Sequence, residues 1–339
     1  SFASLPGEPL GRPLTRGGYR AAGSVSMQRR KADLPAPRGC GGVAPSPFPP
    51  ERAVCAAFCT RWWGEHGNGL VKRISIHSLA VTALVANVIV ILQGAVVRAT
   101  GSGAGCGSHW PTCNGSVVPL NPTLETGIEF SHRLLSLVVL LLGLWLLMRA
   151  RRERATRPGL AVFATISFGF LVFEALIGGA TVILGMTGDN TTVARGIWVA
   201  SHLVNSLLLI GALSATVVYA QKNPPAWPLH IERQGALATL WIVGIVAMLV
   251  LSFTGGIAAM GNTIFPSESL AEGLRADFDP SSHPLIRLRA LHPLIAVTVG
   301  VYLFVSLAFA WHIKPVPAAK RTAQALLGVY VLQMLIGVV

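Results

Sequence analysis

Polarity along this chain comes in blocks rather than alternating. Seven apolar stretches, near 77–98, 130–148, 161–185, 197–220, 236–260, 287–311 and 323–339, are separated by short polar connections. Each is close to the ~20 residues that a helix needs to cross a bilayer. The pattern predicts an all-α fold, a polytopic membrane helical bundle. The last stretch runs to Val339 without a polar flank, and an odd seventh helix stopping in mid-pattern predicts that the last helix is missing from this chain.

Composition agrees. Apolar residues make up 52% and charged residues 12% of the 339, with a mean hydropathy of +0.58. A soluble domain carries about 25% charge, so a large soluble core is excluded. The net charge of +13 does not signal nucleic-acid binding, because no basic domain exists to do it. About half of the excess precedes Arg73, and most of the rest lies in short connections. Lys72/Arg73, the run from Arg149 to Arg157, Lys222/Arg233 and Lys314/Lys320/Arg321 fall in alternate connections. The positive-inside rule places these, and the N-terminus, in the cytoplasm. The connections 99–129, 186–196 and 261–286 are then outside.

Residues 1–70 are rich in Pro, Gly, Arg and Ser and lack apolar periodicity, so a disordered N-terminal extension is expected there. It has no signal-peptide core. An Arg-rich, acid-poor composition leaves a transit peptide open beside an upstream translated extension. Cys55 and Cys59 make a weak metal site.

The helical part repeats itself. The third stretch reads Glu174-Ala-Leu-Ile-Gly178-Gly179 and the seventh Gln333-Met-Leu-Ile-Gly337. Gly94 marks the first and Gly255-Gly256 the fifth, while the even stretches each carry one histidine near their start: His132, His202 and His292. The match of third to seventh predicts two pseudo-symmetric four-helix halves, 71–222 and a truncated 223–339. All three histidines then sit at similar depth near the outer face. Imidazoles at one depth in a bundle suit axial ligation of haem iron. Copper or zinc accept imidazole too, and a packing role is the bland alternative.

Glu129 and His132 share a helical face at i and i+3. Glu129 could accept a proton, attack a carbocation or cap its helix. Arg98, Arg133 and Arg289 could snorkel or pair with propionates. Cys106 and Cys113 share an outer, oxidising loop, where a disulfide is the default, structural or redox-active.

The runs RATGSGAGC over 98–106, HWPTCNG over 109–115 and EFSHR over 129–133 resemble haem A synthases of the bacterial type with a cysteine pair in the first outer loop. The resemblance extends over about residues 74–339. Mitochondrial and proteobacterial relatives lack the pair, which argues against the transit peptide. It implies an oxidoreductase of the bacterial cell membrane that turns haem O into haem A for cytochrome oxidase. The C8 methyl would be oxidised twice, to an alcohol and then to a gem-diol that loses water. His132 and His202 would ligate or flank the substrate haem, His292 would be an axial ligand of a haem b cofactor, and Glu129 would be the catalytic carboxylate. Cys106 and Cys113 would form the loop disulfide. Implied partners are haem O, membrane lipid, haem O synthase (a protohaem farnesyltransferase) and an unidentified electron acceptor. The sequence departs from the pattern in the absent eighth helix and in Pro293, where Arg often follows the histidine. A di-haem b electron carrier and a haem transporter are the rival functions.

Overall fold

A chain that meets lipid must satisfy its own backbone, and in the computed structural model every long element is a helix. The structure describes residues 74–228, 235–313 and 317–338, all within one compact unit spanning Val71–Val339. The expectations for residues 1–70, Cys55 and Cys59 included, lie outside the described residues. The helices are α1 (Ile76–Ala99), α2 (Leu124–Arg152), α3 (Pro158–Ile183), α4 (Val193–Tyr219), α5 (Ala236–Ile264), α6 (Leu270–Phe278), α7 (Pro284–Arg289), α8 (Leu291–Ile313) and α9 (Pro317–Val338). Among the described residues six segments are long and apolar enough to cross a membrane: α1 to α5, and α7 with α8 taken together. The protein is a multi-pass membrane protein.

Two expectations change. The seventh stretch does form a helix, α9, but it is not among the six. And α2 starts at Leu124, six residues earlier than its apolar run, because the Thr123 hydroxyl caps it by accepting from the Thr126 amide at 3.2 Å. Glu129 therefore lies in the second turn and is not the cap. The sixth span breaks at Ala290, between α7 and α8. Pro293 accounts for this: it has no N–H for the Arg289 carbonyl, and its ring crowds that carbonyl.

The main core draws on α1 to α4 and their basic-end margins. Leu79, Ala83, Val139, Leu146, Leu160, Leu171, Leu209 and Leu213 interdigitate there. Gly143 lets α3 approach, since a Cβ on it would come within 2.5 Å of Leu171. A second, smaller cluster joins α4, α5 and α7 through Ala200, Ile257 and Leu285. Its tightest point is Gly256, where a Cβ would sit 2.8 Å from the Ala200 Cα. Arg98, at the end of α1, reinforces the same seam. Its Nη1 donates to the Ala259 carbonyl at 3.1 Å and to Thr263 Oγ1 at 2.6 Å on α5.

The connections α1–α2, α3–α4 and α5–α8 meet at one end of the bundle. Gly188 faces the Ala104 methyl, Gly179 faces the Trp110 ring, and Gly196 faces Leu285. At the opposite, basic end the Arg149 guanidinium donates to the Ile74 carbonyl, and Gly159 packs on Tyr219. Large side chains such as Leu92, Leu141, Phe173, Ile245 and Phe304 are exposed along the spans, as a lipid-facing surface requires.

Candidate functional site

The first connection is folded, not loose. After α1 a short 3-10 turn, Ser102–Ala104, leads into a disulfide between Cys106 and Cys113. Asn114 donates its amide to the Cys106 carbonyl at 3.0 Å, and Cys113 donates to Ser116 at 2.9 Å. Gly105 presses on α2: a Cβ there would lie 2.6 Å from the Glu125 carbonyl carbon, so only glycine fits. The expected cysteine pair is thus a disulfide, and it is buried.

Glu129 is 3% exposed and joins this loop to α2. Its Oε2 accepts from the Cys106 amide at 2.8 Å, and its Oε1 accepts from Arg133 Nε at 3.1 Å and from Nη2. Arg133 Nη1 donates to the His109 and Thr112 carbonyls, both at 2.6 Å. A buried carboxylate is tolerable only when paired and hydrogen-bonded, and both conditions hold. Replacing Cys113 by serine is expected to lower stability by about 2–3 kcal/mol, from the loop closure it removes. Thermal melts of oxidised and reduced protein in detergent check this; equal melting points would contradict it.

The three histidines share one local design. Each imidazole rests against a glycine of the neighbouring helix. A Cβ on Gly94 of α1 would stand 3.1 Å from His132 Cε1; on Gly178 of α3, 3.5 Å from His202 Cε1; on Gly255 of α5, 2.9 Å from His292 Cε1. The glycines are ring seats as well as packing residues. His132 and His202 are also within electrostatic reach of each other.

The three rings differ in what holds the second nitrogen. His202 Nδ1 is 3.3 Å from Glu174 Oε1. Its direction falls short of a full hydrogen bond. Glu174 also accepts from Asn205 Nδ2 and Ser206 Oγ, and Asn205 Nδ2 donates to the Phe170 carbonyl at 3.0 Å. His292 Nδ1 is 3.2 Å from Thr254 Oγ1, whose hydroxyl donates to the Leu251 carbonyl at 2.9 Å. His132 Nδ1 is buried without a partner.

The arginines are committed within the protein. Arg289 pairs with Asp277 and donates to Asn262 Oδ1 at 2.9 Å and to the Gly273 carbonyl at 3.0 Å. With Arg98 and Arg133 bonded as above, all three hold loops and seams together, and none reaches out along the surface.

Among the described residues no three His, Cys, Asp or Glu side chains gather as ligands for a bare ion. The donor set instead fits a planar iron macrocycle, which brings four nitrogens of its own and asks for one or two imidazoles. His132 Nδ1 has no hydrogen-bond partner, and each of the three rings lies against a glycine. Beside α4 an apolar groove of about 450 Å³ is lined by Phe170, Phe173, Ile177, Trp198 and Phe253, with Asn205 in its wall.

The model of the COX15-CtaA family, cytochrome oxidase assembly proteins, matches residues 77–339. This chain belongs to the COX15-CtaA family. The family resemblance carried by the first loop and the EFSHR run is thereby confirmed. Relatives include a protein named protoheme IX farnesyltransferase from Thermus thermophilus, 42% identical over 75% of this chain and 41% of its own length. Proteins named haem A synthase from Halalkalibacterium halodurans and Staphylococcus epidermidis are 37% and 32% identical, over 41% and 56% of this chain and 45% and 60% of theirs. The chain spans about half the length of these relatives. No solved structure matches it.

Within this COX15-CtaA chain two polar groups of interest escape periodicity and motif. Glu174 stands in the third apolar stretch, where it served only as a landmark of the repeat. A carboxylate inside a span was itself the available signal. Thr254 gave none, since a threonine next to a glycine is ordinary in such helices.

Proposed function

We propose that this chain is a haem A synthase that oxidises the C8 methyl of haem O to a formyl group. The observation that carries this reading is the pair His132 and His202, each seated on a glycine of the neighbouring helix, with the buried Glu129 one turn before His132. Residues 71–222 form the substrate half and 223–339 the cofactor half. His132 and His202 hold the substrate haem from two sides, and the groove beside α4 takes its apolar tail. His292, its ring placed by Gly255 and Thr254, is the residue that would hold haem b. When bound there, haem b supplies a one-electron relay toward an acceptor. Each oxidation of the methyl removes two electrons and one proton from carbon, water adds to that carbon with loss of a second proton, and Glu129 is the nearby base or trap. Arg133 holds a positive charge against this carboxyl group and fixes its position.

The basic connections support a reading in which the N-terminus lies in the cytoplasm of a bacterium and the disulfide loop outside the cell membrane. Haem O synthase is the natural supplier. The Thermus thermophilus relative supports that pairing, because the match covers 41% of a protein named for farnesyl transfer. The test is extraction of haems from the chain purified after expression in a host that makes haem O. Haem O, its alcohol and haem A are expected by mass spectrometry. Haem b alone would instead identify an electron carrier.

A further inference from the structure

The geometry points to Glu174 as the positioning residue that fixes the tautomer and orientation of His202, making His202 the stronger of the two substrate-haem ligands. This rests on the proposed function and deepens it.

An ionisable side chain inside a span is costly to keep, so an unexplained one calls for a task. Glu174 is held in place by three elements of its surroundings. Asn205 and Ser206 donate to its two oxygens, and the Asn205 amide is itself tied to the Phe170 carbonyl, one turn before Glu174. Donors thus reach both oxygens and fix the carboxyl group in one orientation, as an acceptor. The remaining neighbour, His202 Nδ1 at 3.3 Å, faces Oε1 and is placed to turn its hydrogen toward it. That leaves the Nε2 lone pair free for a metal. Carboxylate–histidine–metal arrays work in this way: the carboxylate fixes the tautomer and raises the basicity of the ligand. The Nδ1–Oε1 direction is imperfect as it stands. Such contacts tighten when the far side of the ring is engaged.

The other two histidines supply the contrast. His292 has a neutral partner: the Thr254 hydroxyl spends its hydrogen on the Leu251 carbonyl and so accepts from Nδ1. His132 Nδ1 has none. The three imidazoles are therefore graded, with carboxylate, hydroxyl and nothing behind them. In the substrate site His202 is the anchored ligand and His132 the exchangeable one.

The experiment uses the full chain in lipid nanodiscs, loaded with haem O. Wild type is compared with Glu174→Gln, Glu174→Ala, His202→Ala and His132→Ala. Three quantities are read: haem O affinity, the low-spin electron paramagnetic resonance g values, and the midpoint potential. Glu174→Ala is expected to weaken haem O binding about 10–100-fold. Glu174→Gln keeps an acceptor but not the charge, so it should bind more tightly than Glu174→Ala while raising the midpoint potential and shifting the g values. A merely structural glutamate would leave both spectroscopic readouts alone once haem is bound. His202→Ala should cost more affinity than His132→Ala. If the signal depends on His202 yet is unchanged in both Glu174 variants, the assignment to Glu174 is wrong and the function stands. If wild type shows no haem O signal that depends on His202, the function reading fails, and the assignment with it.

Discussion

Glu129→Ala should abolish haem A formation and loosen the disulfide loop together. The carboxylate is the shared acceptor of the Cys106 amide and the Arg133 guanidinium. Its removal leaves a guanidinium without a counter-charge in a protein interior, a change that costs about 3–5 kcal/mol. Loss of a proton acceptor at the reacting carbon removes a further factor of about 10²–10⁴ in rate. Glu129→Gln separates the two effects. It preserves an acceptor for the Cys106 amide and most of the packing, so the melting temperature should fall less while turnover stays lost. Haem mass analysis and thermal melts of both variants are the measurements. A normal yield of haem A in either would remove Glu129 from the chemistry, and an unchanged melting point for Glu129→Ala would remove it from the loop.

Gly255→Val should empty the haem b position while leaving the bundle folded. The added Cβ would begin 2.9 Å from His292 Cε1, inside any tolerable contact, and the neighbour that can give way is the imidazole. A ring turned aside loses Thr254 and no longer presents Nε2, so bound haem b should drop about tenfold or more. Gly178→Ala is the control. Its Cβ would meet His202 Cε1 at 3.5 Å, an ordinary contact, and haem O retention should hardly change. The pyridine haemochrome spectrum and the elution profile in detergent report the two outcomes. Full haem b occupancy in Gly255→Val would mean that His292 is not a ligand.

Hydrophobic blocks were enough to place the spans, because a bilayer imposes one length and one polarity on every crossing. They were not enough for the ends. The α2 start depends on a single threonine hydroxyl, Thr123, six residues outside the apolar run. The 261–286 connection, which hydropathy marks only as an outer connection, holds α6, a nine-residue helix whose Glu272 accepts from the Glu268 amide. Short, charge-rich helices leave little trace in hydropathy. In the site, each even-helix histidine and its glycine could be picked out from the repeat, since both recur at fixed places. Their pairing across helices could not, because it depends on rotation about each helix axis. Glu129 was found through its spacing from His132, but its partner Cys106 lies 23 residues back across a turn. Glu174 was in plain view, and its meaning appeared only once Asn205, Ser206 and His202 were seen to converge on it.

If two haems sit as proposed, the seam at Gly256 bears on how fast electrons pass between them. Ala200, which that glycine touches, lies two residues before His202, and Gly255, the seat of His292, is next to Gly256. The backbones of α4 and α5 thus pack tightly beside His202 and His292, the residues proposed to hold the two haems. Arg98 clamps α5 to α1 a turn further along. Two iron centres mounted on either side would keep a separation dictated by main-chain contact, so the tunnelling rate between them should be indifferent to bilayer thickness and lipid type.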